Sequence, residues 1–112
     1  MRTYANAYLA FSVKVGSHFK ELLEDKGAIR KFNEETGADL GYLEAGRYKN
    51  QELFVTAYCE GAEPLEPKPV DLAALTDGRA DIWTAQIRRF LQGNDIPAIN
   101  AIGFRLIADL DD

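Results

Sequence analysis

Few residues in this 112-residue chain can do chemistry near neutral pH. His18 is the single histidine and Cys59 the single cysteine. Multi-histidine and multi-thiolate metal sites are therefore excluded, and no intramolecular disulfide can form. His18 stands just where an apolar alternation gives way to a helix. The helix dipole there favours the neutral imidazole that a general base requires. It is the sole catalytic candidate, yet no Ser-His-Asp or Cys-His arrangement is legible around it. Cys59 alternates with Leu53, Val55 and Ala57 and reads as a buried thiol, not a nucleophile.

Asp71, Asp77 and Asp81 gather near the start of a second helix, where carboxylates can hold a cation but also cap a helix and oppose its dipole; capping is the simpler account. Gly41, Gly46 and Arg47 superficially resemble a phosphate loop. Arg47 stands where that loop needs Lys and Tyr48 where it needs Ser or Thr, and the segment falls in a hairpin, where no backbone amides converge on a phosphate. The glycine fingerprint of dinucleotide folds and the Gly-x-Ser-x-Gly elbow are both absent from the sequence. No metal or cofactor is expected, and the balance leans away from an enzyme.

Lys and Arg number 13 against 18 Asp and Glu, a net charge of -5. Such a chain repels phosphate backbones, which argues against nucleic acid as a partner. The acids are dispersed except for a loop carrying Glu60, Glu63 and Glu66 and a tail with Asp109, Asp111 and Asp112. Both clusters suit solvent or a basic partner. No apolar run is long enough to cross a bilayer, the first residues do not read as a secretion signal, and the lone cysteine fits a reducing compartment. The expected location is the cytoplasm, with no membrane partner.

Positioning these residues requires a small set of elements. Leu9, Phe11, Val13 and Val15 alternate with Tyr8, Ala10, Ser12 and Lys14, which predicts a half-buried strand. Ser17 can cap a helix whose face is Phe19, Leu22, Leu23, Ile29 and Phe32, with Gly27 a possible break and Gly37 a C-terminal cap. Residues 39–60 predict a hairpin joined near Lys49 and Asn50. Gly61 to Val70 holds three of the four prolines and predicts an exposed connection. Ala80, Trp83, Ile87, Phe90 and Leu91 predict a second helix closing at Gly93. A last strand sets Ile102, Phe104, Leu106 and Ala108 against Ile99, Ala101, Gly103, Arg105 and Ile107.

The order β-α-β-β-α-β predicts a single α+β domain over residues 1–112, similar to the ferredoxin-like arrangement: one antiparallel sheet with two helices packed on one face. The second face of that sheet should then meet water, yet it carries Tyr8, Phe54, Tyr58, Ile99 and Ile107 among small residues. Large aromatics with polar tips amid small residues suit an interface. Tyr8, Phe54, Tyr58, Arg105 and Ile107 are accordingly the expected binding face of a small acidic protein-interaction module, of inhibitor or adaptor type, taking a second copy of itself or another protein. The alternative is a small-molecule binder or cofactor-free enzyme in the architecture of dimeric ferredoxin-like barrels, with Tyr8, Tyr58, Arg105 and Glu60 as its polar groups and His18 at the rim. An RNA platform on Phe54 and Tyr58 conflicts with the net charge.

Overall fold

The computed structural model describes residues 4–47, 50–62 and 78–111. Strand β1 (Tyr4–Val15) leads through a 3-10 turn (Ser17–Phe19) into helices α1 (Lys20–Glu24) and α2 (Ala28–Thr36). Strands β2 (Gly41–Arg47) and β3 (Asn50–Ala62) follow, then helix α3 (Arg79–Gly93) and strand β4 (Gly103–Asp111). The last strand begins at Gly103, so Ile99 lies in the loop ahead of it, exposed.

The first helical stretch is divided. Gly27 sits at φ 64° and ψ 30°, a left-handed conformation that costs glycine little and other residues much. The turn at Gly27 redirects the chain, so that Leu23 of α1 and Ile29 of α2 enter one core. Ser17 makes no side-chain cap; Gly16 occupies that position in extended backbone. Gly37, at φ 74°, closes α2 as expected, and the Asn33 amide then bridges to the backbone of Leu40, with Oδ1 accepting and Nδ2 donating at 2.9 Å each. This pair fixes the angle at which the chain enters β2. Helix α3 ends at Gly93 as expected and starts behind Gly78, with Asp81 in its first turn. Asp71 and Asp77 lie outside the described residues.

The sheet is antiparallel throughout β1, β3, β2 and β4, with β1 central between β3 and β4 and β2 beyond β3. A single parallel pair, Arg47 with Leu110, joins β2 to β4 and closes the sheet in the order β1-β3-β2-β4. The described residues thus form an α+β structure with a four-strand antiparallel sheet and three helices. That departs from the expected two helices over an open ferredoxin-like sheet. The difference has a physical cause: β3 is 13 residues long and carries a bulge, and both features increase twist until the β2–β3 hairpin curls over the sheet.

Curling creates two cores. The first gathers Phe11, Val13, Val15, Leu53 and Val55 from the sheet beneath Leu23, Ile29, Ile87, Phe90 and Leu91 from the helices. The second contains strand residues alone: Ala10, Ala45, Phe54 and Ile107, with Tyr8 and Leu43 packed against them. Small side chains at Ala10 and Ala45 let the hairpin approach closely. Gly61 does the same for Tyr8, since a Cβ at Gly61 would lie 3.0 Å from that ring.

Candidate functional site

The register of β1 against β3 carries the most consequential local feature. Phe11 faces Tyr58 while Ser12 faces Thr56, so Ala57 is the extra residue of a β-bulge. Beyond it every side chain of β3 changes face. Ala57 and Tyr58 both pack on the helix-side core, whereas Phe54 packs on the other. Cys59, opposite Ala10, turns away from the helix-side core and is exposed. The expectation of a buried thiol is therefore corrected. Partial desolvation, with the neighbouring Glu60 charge adding to it, still pushes the thiol above its ordinary value.

On the helix side the bulge assembles an aromatic cluster. Phe104, Phe11 and Tyr58 lie side by side on adjacent strands, because Phe11 pairs with both of the others. Trp83 of α3 lies over them. Its ring stacks on Tyr58 at 5.7 Å and 22°, meets Phe11 at 5.4 Å, and meets Phe104 edge-on at 6.2 Å. Phe11 and Phe104 are themselves T-shaped at 5.0 Å. Such pairs contribute about 0.5–1.5 kcal/mol each beyond the area they bury.

The next row of the sheet, toward the Tyr4 end of β1, is Leu106, Leu9 and Glu60. Neither Leu106 nor Leu9 belongs to the helix-side core cluster or packs against it. Leu106 is 83% exposed and Phe104 37% exposed, while Leu9 is half-buried. The candidate site is this end of the helix-side face: a rigid aromatic cluster, an exposed leucine beside it, and the Glu60 position at its border. Asp81 is exposed in the first turn of α3 and, two positions before Trp83, lies on a different face of that helix.

The five residues expected to form one binding face are divided. Tyr8, Phe54 and Ile107 do come together, but inside the curl of the sheet, where Phe54 is 5% and Ile107 7% exposed. Tyr58 is diverted to the other side by the bulge. Arg105 stays with the concave set, its guanidinium donating to the carbonyls of Ser12, Gly103 and Ala101. That face is consequently not open, as it would be on a flat sheet.

His18 lies exposed in the 3-10 turn with its ring on Phe19 at 4.1 Å. Among the described residues no hydrogen bond or ion pair reaches it. The described residues hold no group of three or more His, Cys, Asp or Glu able to bind a metal. Glu60 is the one member of the acidic loop within the described residues; Glu63 and Glu66 lie outside them. Gly41, Gly46 and Arg47 lie on β2, as the hairpin reading required. No helix among the described residues is long and apolar enough to cross a membrane.

Sequence reading missed the role of Leu106, Phe104 and Trp83, which it assigned to a covered core. A length comparison holds the signal. Twelve residues of β1 extend about 40 Å, whereas the fifteen of α3 extend about 22 Å, so one helix cannot cover the strand end to end. Comparison of the chain with protein-family models, curated proteins and solved structures finds no match.

Proposed function

We propose that the chain is a protein-interaction module that docks a basic partner protein through the aromatic end of its helix-side face. The observation that carries this reading is Leu106, 83% exposed beside a cluster of four rings held together by Trp83. An exposed apolar anchor on a rigid support is what an interface uses to bury area at little entropic cost. Charge selects the partner. The chain carries -5, and Glu60 lies in the row of the sheet with Leu106, so a segment with Lys or Arg flanking a large apolar side chain is complementary, whereas a second copy brings like charges together. The same reading takes residues 1–112 as one cytoplasmic domain on a ferredoxin-like framework, its hairpin curled inward, acting without metal, cofactor or nucleic acid and as a binder, not an enzyme.

Peptide display against the purified chain tests the proposal. Selected peptides should combine an aromatic residue or leucine with flanking Lys or Arg, and Leu106→Glu should weaken them at least tenfold while circular dichroism stays unchanged. Sedimentation should show a monomer. Selection of acidic peptides, or a wild-type dimer that Leu106→Glu dissociates, overturns the reading.

A further inference from the structure

We propose that the mouth of the concave face binds a small apolar molecule bearing a carboxylate, gripped by Arg105. Leu106, the exposed leucine of the aromatic patch, also lines this site, so the two adjoin along β4. Between the curled hairpin and β4 lies a cavity of about 460 Å³, within the range of small-molecule sites. Its floor is apolar: Ala45, Phe54 and Ile107. Lys14, Glu52, Asn100 and Arg105 stand around it.

Arg105 sets the ligand chemistry. Its Nη1 donates to Ser12 O at 2.5 Å and to Gly103 O at 3.3 Å, and its Nη2 donates to Ala101 O. All three acceptors are neutral carbonyls. They immobilise the side chain without cancelling its charge, and no carboxylate pairs with it among the described residues. A guanidinium has five N–H donors, so these three bonds leave Nε and one Nη2 hydrogen, a fork suited to a carboxylate.

The remaining polar groups fit the same ligand. Lys14 and Glu52 neutralise one another at 2.8 Å, leaving the cavity with one net positive charge in a chain of net charge -5. Asn100 accepts the Lys14 backbone N–H through Oδ1 at 2.8 Å, which leaves its Nδ2 as a further donor. An apolar body over Phe54 and Ile107 with an anionic head at Arg105 matches this distribution.

Calorimetric titration of the full chain with 1-naphthoate and with its neutral counterpart 1-naphthalenemethanol decides the matter. The acid should bind one to one and at least tenfold more tightly than the alcohol. Arg105→Lys should cost at least tenfold, since an ammonium lacks the fork, and Glu52→Gln should tighten binding severalfold by removing the nearby carboxylate. If Arg105→Lys does not fold, the Glu52→Gln result decides: tightening supports the site and unchanged affinity overturns it. Absent binding, or equal affinity for acid and alcohol, also overturns it.

Discussion

The two sides of the sheet solve the same problem in opposite ways. Both present large apolar side chains, and both exceed what the helices can cover. On the concave side the hairpin bends over until Phe54 and Ile107 are buried among strand residues alone. On the helix side Trp83 covers one row of rings, and in the next row Leu106 stands in solvent. One face is closed by backbone curvature, which needs small residues such as Ala10 and Ala45. The other is closed by a side chain, which reaches only as far as a single indole. Exposed apolar surface on a protein therefore marks not where hydrophobic residues are commonest but where neither device extends.

The largest expected effect tests whether the concave side is core. Phe54→Asp should unfold the chain, as Val13→Asp should, because an unpaired carboxylate in either core costs several kcal/mol against a total stability of about 5–15. Far-ultraviolet circular dichroism would read it, and a folded Phe54→Asp variant would return that face to solvent. Deleting Ala57 is next. Without the extra residue Thr56 still faces Ser12 and Tyr58 still faces Phe11, now in an unbroken ladder, so Tyr58 keeps the helix side. The near-ultraviolet signal of the Tyr58–Trp83 stack should persist, and urea denaturation should show a loss of about 1 kcal/mol. Loss of the signal would show that the pairing with Phe11 is not what places Tyr58.

On the open end, Leu106→Glu should shift stability by no more than about 0.5 kcal/mol, the ordinary range for an exposed position. A shift above 2 kcal/mol in thermal or urea denaturation would move Leu106 into a core. Cys59 gives the smallest effect and the finest reading of the bulge. Iodoacetamide should modify it in the folded chain, with a rate that climbs only above the ordinary thiol range because desolvation raises its pKa. The same raised value means that the unfolded thiol ionises first. Its contribution to stability is thus present below the unfolded pKa and lost as pH rises through the folded one. A thiol that reacts only on unfolding would place Cys59 back in the core.

Much of the fold is legible in the sequence because it depends on period and punctuation. The alternation of Leu9 to Val15, the stripe from Ile87 to Leu91 and the glycines at 27, 37 and 93 each report local geometry directly. The candidate site is not legible in the same way. Period-two counting assigns Tyr58 to the side of Phe54 until one unpaired residue, Ala57, reverses it; nothing in its identity as alanine announces that role. Curvature is equally silent, since Ala10 and Ala45 read as ordinary small residues until the hairpin bends between them. Arg105 is legible as a polar group on the concave side, but its three carbonyl partners depend on the loop ahead of β4 and hence on tertiary structure.

The pairing of β1 also has a kinetic consequence. This strand precedes both of its neighbours in the chain, pairing Val15 with Leu53 on one side and Tyr4 with Asp111 on the other. During synthesis it emerges before either of them and stays without its second partner until about a hundred more residues have been made. The β2–β3 hairpin, by contrast, closes within its own short stretch of chain. Folding should therefore begin in the hairpin, add β1 and finish with β4, with the long-range β1–β4 ladder setting a slow final step. Until then Phe11 and Leu9 lie along an unpaired strand edge, a surface open to aggregation in the nascent chain.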